Sequence, residues 1–156
     1  MVLELAAGMP APWFELPRDG GGNISLDEFA GRKLVLYFFP RADTPGCTLE
    51  AQAFSALQTS FEQARTTVLG VSADPIAAQD RFKKKYGLQI PLASDETRRM
   101  LQEYGVWIEK SMYGRRYMGV ERATFLLGLD GRFARIWRNV KVKGHADEVL
   151  AAARAL

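Results

Sequence analysis

The 156-residue sequence predicts an α/β fold with a mixed central sheet flanked by helices. Three observations carry that expectation. Leu34-Val35-Leu36-Tyr37-Phe38-Phe39 and Thr67-Val68-Leu69-Gly70-Val71-Ser72 are short, largely apolar runs, the pattern of strands covered on both faces. Segments of helical periodicity follow each of them, and strand–helix–strand–helix is the order that builds a parallel sheet through right-handed crossovers. Further on, two more apolar runs flank Asp130-Gly131, a hairpin signal because such turns need positive φ. The sheet therefore begins parallel and ends antiparallel.

Taken in order, Met9 to Pro17 carries three prolines and reads as an irregular or edge segment, since proline cannot serve a central strand. Arg18 to Asn23 is a turn, and Ile24-Ser25-Leu26 a short returning strand, together an N-terminal hairpin extension. Asp27 to Gly31 reads as one helical turn or a bend. After the strand Leu34 to Phe39, the residues Leu49, Ala53, Phe54, Leu57 and Phe61 recur at helical spacing, which predicts one helix from Thr48 to about Arg65. Beyond the strand Thr67 to Ser72, Pro75 opens a helix that runs to Tyr86 and closes at Gly87. Ile90 to Ser94 is a short extended piece, and Thr97 to Tyr104 a third helix ending at Gly105. Val106 to Val120 is aperiodic and reads as a long loop or loose hairpin. Ala123 to Leu127 and Phe133 to Trp137 are strands, and about Ala146 to Ala153 is a final helix. With no repeat, low-complexity segment or linker, one domain over residues 1–156 is expected.

Composition narrows the function classes. The chain is 47% hydrophobic and 25% charged, an ordinary globular balance. Net charge is +3, and its dense basic stretches, Arg81 to Tyr86 and Arg115-Arg116, read as solvated faces because no base-reading motif accompanies them. No nucleic-acid partner is expected. The longest apolar run is far too short to cross a bilayer, so no membrane partner is expected either. The N-terminus has no basic n-region and meets Pro10 early, which speaks against a secretory signal and for the cytoplasm. One cysteine and one histidine exclude an internal disulfide, a CxxC pair and a Cys/His zinc site.

That single thiol stands in Pro40-Arg41-Ala42-Asp43-Thr44-Pro45-Gly46-Cys47-Thr48. Thr44 is a good N-cap residue and Pro45 a preferred first helical residue. Cys47 then falls in the first helical turn, near free N–H groups and the positive end of the helix dipole. Such a setting favours a reactive thiolate. A structural cysteine belongs instead inside a strand or on an apolar helix stripe. Gly46 leaves the backbone open to a small substrate.

The segment YFFPRADTPGCTLEA resembles the active-site segment of peroxiredoxins, whose Pro-x-x-x-Thr/Ser-x-x-Cys pattern is matched by Pro40, Thr44 and Cys47. The Thr-Pro-Gly-Cys-Thr-x-Glu version is similar to the peroxiredoxin Q branch, also called bacterioferritin comigratory protein. APWFELPRDGGGNISLDEFAGRKLVLYFFP and YGRRYMGVERATFLLGLDGR resemble further segments of that branch, so the likeness covers nearly the whole chain. It implies a thioredoxin-like fold and a thiol peroxidase needing no cofactor or metal, acting on hydrogen peroxide and organic hydroperoxides. By the same resemblance, Cys47 attacks the peroxide, Thr44 holds it, Pro40 shields the sulfur, and Arg122 stabilises the thiolate and the leaving oxygen. Gly46 joins Thr44, Cys47 and Arg122 in binding substrate. Each of these residues also has a plainer role: Thr44 as helix cap, Pro40 as strand end, Arg122 as a surface residue at a strand start. Glu50 is either a solvated first-turn carboxylate or an orienting partner for an arginine. His145 reads as a capping or exposed histidine before the last helix.

One departure from the branch matters. Many members carry a resolving cysteine five residues after the first, where this chain has Gln52, and others carry one in the next helix, where this chain has none. The resemblance then implies a one-cysteine mechanism with an external thiol reductant such as thioredoxin or glutaredoxin–glutathione. A monomer is expected, with a homodimer as the other option. The alternative reading is a peroxide sensor or redox relay that uses the same cysteine.

Overall fold

The computed structural model describes residues 4–156. Its strands and helices are β1 (Glu15–Pro17), β2 (Asn23–Ser25), β3 (Lys33–Phe38), α1 (Pro45–Ala56), α2 (Gln58–Gln63), β4 (Thr66–Ser72), α3 (Ile76–Tyr86) and β5 (Leu92–Ser94). They continue with α4 (Arg99–Glu103), β6 (Trp107–Met112), β7 (Arg115–Val120), β8 (Ala123–Leu127), β9 (Phe133–Trp137) and α5 (His145–Ala155). The central sheet has the order β5-β4-β3-β8-β9. Strands β3, β4 and β5 run parallel, whereas β8 pairs antiparallel with β3 and with β9. This is the expected mixed sheet of a thioredoxin-like fold.

Strand β3 is buried throughout, so its alternating side chains feed two cores. Leu34, Leu36 and Phe38 meet Phe14, Tyr104 and Phe125 on one face. Val35 and Tyr37 meet Cys47, Phe54, Phe82 and Val149 on the other. On that second face Phe54 stacks on Tyr37 with ring centroids 4.7 Å apart, and removing a ring so enclosed costs about 3–5 kcal/mol. Lys33 at the start of β3 is 8% exposed, and its ammonium donates to Ala153 O of α5 at 2.7 Å. It thereby adds a second donor to a helix-end carbonyl that Leu156 N reaches at 3.3 Å.

The termini of the sheet are managed by neighbouring chain. Residues before β1 run along the β8–β9 hairpin, where Gly8 N donates to Phe133 O and Phe133 N to Met9 O, at 2.7 and 2.9 Å. Among the described residues no helix is long and apolar enough to cross a membrane.

Four local expectations are corrected. The helix expected from Thr48 to Arg65 breaks at Leu57, which ends α1 and precedes α2. Seven residues along a straight helix span about 10.5 Å, yet the break folds Phe61 back until its ring centroid is 6.0 Å from that of Phe54. Of the two readings of Val106 to Val120 the hairpin holds, and it is regular: Tyr113 and Gly114 both have positive φ, 51° and 77°, the two-residue turn that matches strand twist. Most of its residues are exposed on both faces, so it carries no alternation to read. The turn at Asp130-Gly131 is longer than a two-residue loop. Gly131 N donates to Gly128 O and Gly128 N to Arg132 O, and only Gly131 takes positive φ. Finally, the third helix shrinks to Arg99–Glu103, and Pro75 precedes α3 as its cap residue.

Candidate active site

Cys47 is the third residue of α1, behind Pro45 and Gly46. Its preceding loop is tied down residue by residue. Ala42 N donates to Asp74 Oδ2 at 2.8 Å, and Ser72 Oγ donates to the same oxygen at 2.6 Å. Asp43, at φ 60°, accepts from Tyr86 Oη at 2.6 Å and Lys85 Nζ at 2.9 Å, both on α3. Those two bonds hold the Asp43 carboxyl below its ordinary value.

Thr44 is the N-cap residue as expected, but its side chain does not cap the helix. Its hydroxyl donates backwards to Arg41 O at 2.8 Å. The backbone carbonyl of Thr44 accepts from Thr48 N at 2.8 Å.

Arg122 arrives from the short link between β7 and β8. Glu121 N donates to Val106 O at 2.7 Å, and the Glu121 carboxylate takes two bonds from Arg138 and one from Asn139 N. Val140 N donates to Arg122 O at 2.9 Å. So braced, the guanidinium spans two acceptors: Nη1 donates to Glu50 Oε1 at 2.7 Å, and Nη2 to Cys47 Sγ at 3.5 Å. The structure thus brings Cys47, Thr44, Gly46 and Arg122 together. Pro40 is half-buried and lines a groove of about 400 Å³ with Arg41, Lys110, Tyr117 and Met118.

Cys47 is 1% exposed. Its sulfur lies under the helix start, walled by the aromatic face that includes Tyr37 and Phe39. Glu50, one turn on, is also 1% exposed. Of its two expected readings, the arginine partner holds and the solvated carboxylate does not. Burial pushes its carboxyl up to about 7, against the downward pull of Arg122. Burial pulls Arg122 down in turn, but the charges of Glu50 and Cys47 outweigh it and hold the guanidinium above its ordinary value. Glu50 Oε2 and Tyr37 Oη are buried without a hydrogen-bond partner.

Two expectations change here. Gly46 was expected to leave room for substrate, but a Cβ at that position would meet Arg122 Nη2 at 3.0 Å. The space belongs to the guanidinium. His145 was expected to be a cap or exposed; it is 6% exposed and shares a 2.8 Å hydrogen bond with Thr124 Oγ1. Its ring stands edge-on to Phe54 and Trp137, and burial holds it below its ordinary value. Sequence reading missed the bracing residues Asp74 and Glu121, which lie far from Cys47 in the chain and carry no motif. Among the described residues, no three His, Cys, Asp or Glu side chains converge as metal ligands.

A buried thiol facing an arginine, on the first turn of the helix that follows a central strand, agrees with what comparison finds. The AhpC/TSA family model matches residues 7–135. The chain belongs to that family. It is a peroxiredoxin, a thiol-dependent peroxidase that draws its electrons from a thiol. Peroxiredoxin Bcp of Xanthomonas campestris is 46% identical over 99% of this chain and 95% of its own. Peroxiredoxin Bcp of Escherichia coli is 38% identical over 94% of each chain. Among solved structures, the bacterioferritin comigratory protein of X. campestris, captured in intermediate and ligand complexes bearing on alkyl peroxide reduction, superposes with a TM-score of 0.90. It is 42% identical over 96% of this peroxiredoxin and 98% of that chain. A Cys→Ser variant of Xylella fastidiosa PrxQ gives a TM-score of 0.92 at 38% identity, over 97% and 96% of the two chains.

Proposed function

We propose that this peroxiredoxin reduces hydrogen peroxide and alkyl hydroperoxides by a one-cysteine mechanism. The carrying observation is the single guanidinium shared between Cys47 Sγ at 3.5 Å and the buried Glu50 at 2.7 Å. Cys47 attacks as the thiolate on the terminal peroxide oxygen. An S–O bond forms, the O–O bond breaks, and the leaving oxygen takes a proton to depart as water or alcohol. Negative charge grows on that leaving oxygen, and a fixed, permanently charged donor such as Arg122 stabilises it without holding a proton in dispute. The Thr44 hydroxyl, whose hydrogen already points to Arg41 O, offers its lone pairs to the peroxide O–H. Pro40 walls the site from water.

Cys47 is then a sulfenic acid, and the chain has no second cysteine to condense with it. An external thiol attacks the oxidised sulfur and expels water, giving a mixed disulfide that a further thiol resolves. Thioredoxin or glutaredoxin–glutathione serves as donor in this reading, and the cytoplasm, where such thiols are kept reduced, is its setting. Every site residue comes from one chain, so a monomer suffices. The test is peroxide consumption with each donor supplied separately. Cys47→Ser should abolish it while the fold persists, and activity surviving in that variant would sink the assignment.

The missing second cysteine also favours a second reading, a peroxide sensor or relay. Stoichiometric rather than catalytic peroxide loss with every donor would select it.

A further inference from the structure

Lys110, on β6, is a half-buried cation. Among the described residues it has no ion-pair partner, although its neighbours do: Glu109 pairs with Arg116, and Glu121 with Arg138. Its stem is deliberately laid. Lys110 faces Tyr117 across the hairpin, and its methylenes cross the next rung towards Gly119. A Cβ on Gly119 would sit 3.1 Å from Lys110 Cδ and 3.4 Å from the Tyr117 ring, so a side chain there would push the lysine stem aside by a few tenths of an ångström. This path carries the ammonium towards the hairpin base, three residues before Arg122. The groove it lines also holds Pro40 and Arg41 of the Cys47 loop.

Other groups facing this groove are consistent with an anionic guest. Arg41 and Arg98 add positive charge, so three cations, Lys110 included, face the single acid lining it, Asp74, whose Oδ2 accepts from Ala42 N and Ser72 Oγ. Tyr117 and Met118 supply an apolar wall. Burial and the charge of Arg122 hold Lys110 below its ordinary value, while Cys47 and Glu121 oppose them.

We propose that Lys110 is a specificity-determining residue of this site: its ammonium binds a negative charge, a carboxylate above all, on an organic hydroperoxide whose O–O bond lies at Cys47. The proposal rests on the peroxidase reading above. In the bound arrangement Arg122 serves the breaking O–O bond and Lys110 the far end of the substrate.

The test compares three peroxides in single-turnover oxidation of Cys47: hydrogen peroxide, neutral tert-butyl hydroperoxide, and its carboxylate analogue 3-hydroperoxy-3-methylbutanoate. Wild type should favour the carboxylate over the neutral compound. Lys110→Met, which keeps the stem and removes the charge, should lower that preference about tenfold, and Lys110→Arg should restore most of it. Added salt should erode the preference in wild type and not in Lys110→Met. An unchanged preference in Lys110→Met overturns the proposal. So does an equal loss on all three peroxides, which would assign Lys110 to the electrostatics of the thiol alone. Failure of wild type to react with hydrogen peroxide removes the peroxidase reading itself, a result distinct from either.

Discussion

Arg122 reaches Cys47 across the one position in the first turn of α1 that lacks a side chain. Its Nη2 lies 3.0 Å from where a Cβ of Gly46 would stand, and 3.5 Å from the sulfur. Glu50 holds the other nitrogen at 2.7 Å, so the guanidinium cannot retreat without breaking that bond. Gly46, Glu50 and Arg122 are therefore one geometric unit.

Gly46→Ala should separate reactivity from stability. The added methyl must displace Arg122 by a few tenths of an ångström, whereas alanine inside a helix is about 0.5–1 kcal/mol better than glycine. The expected outcome is a rate of Cys47 oxidation reduced about tenfold, since small misplacements of a positioned group are costly, with no loss of melting temperature. Stopped-flow tryptophan fluorescence and thermal melts measure the two. An unchanged rate would show that the guanidinium does not need its present place.

Glu50 predicts a pH dependence of stability. Its carboxyl titrates near 4.5 in the unfolded chain and is pushed up to about 7 in the folded protein. The folded state thus binds this proton more tightly, and the stability it gives is full below 4.5 and is lost as pH rises through about 7. Glu50→Gln cannot ionise. Relative to that variant, wild type should lose on the order of 3 kcal/mol between pH 4.5 and pH 8. Urea unfolding of both proteins across that range checks it, and a constant difference would refute it.

His145 should prove structural. His145→Phe breaks the bond to Thr124 and leaves a buried hydroxyl unpaired, a loss of about 1–3 kcal/mol, while peroxide reactivity should stay as it was. Because burial holds this imidazole below its ordinary 6.5, its contribution is present above pH 6.5 and fades as pH falls through the lower folded value. A large fall in peroxide rate, with the fold retained, would make His145 part of the chemistry after all.

The bonds from Tyr86 and Lys85 to Asp43 should govern re-reduction more than oxidation. A sulfur that is 1% exposed is closed to a protein thiol unless its loop lifts. Tyr86→Phe removes one of the two ties on Asp43 and should speed reduction of the sulfenic acid by a protein dithiol. Oxidation by hydrogen peroxide should not gain. Rapid-mixing measurements of each half-reaction decide it; equal rates in both proteins would mean that the loop opens elsewhere.

Much of this was legible in the chain itself. Continuous apolar runs reveal β3 and β4 because a strand buried on both faces tolerates little else, and Thr44-Pro45 marks the start of α1 through the backbone needs of a helix end. Glu50 at i+3 from Cys47 was visible as a candidate, but spacing alone cannot tell a solvated carboxylate from a buried one. The β6–β7 hairpin could not be told from a loop because residues exposed on both faces leave no periodicity. The break at Leu57 escaped because it answers to the meeting of Phe54 and Phe61 in space. Asp74 and Glu121 were hidden for a similar reason: they act on backbone groups brought near only by the tertiary fold.

The Cys47 sulfur is a packing atom. Cys47 belongs to the same enclosed cluster as Tyr37, Phe54 and Phe82, so every oxygen added to it is an insertion into close-packed core. A first oxygen has Arg122 to meet it. A second would have to find room within that enclosed cluster and would act like an overpacking substitution. Oxidation state and conformational stability are thereby coupled. A calorimeter reading the unfolding temperature of this protein would also be reading its history of exposure to oxidant.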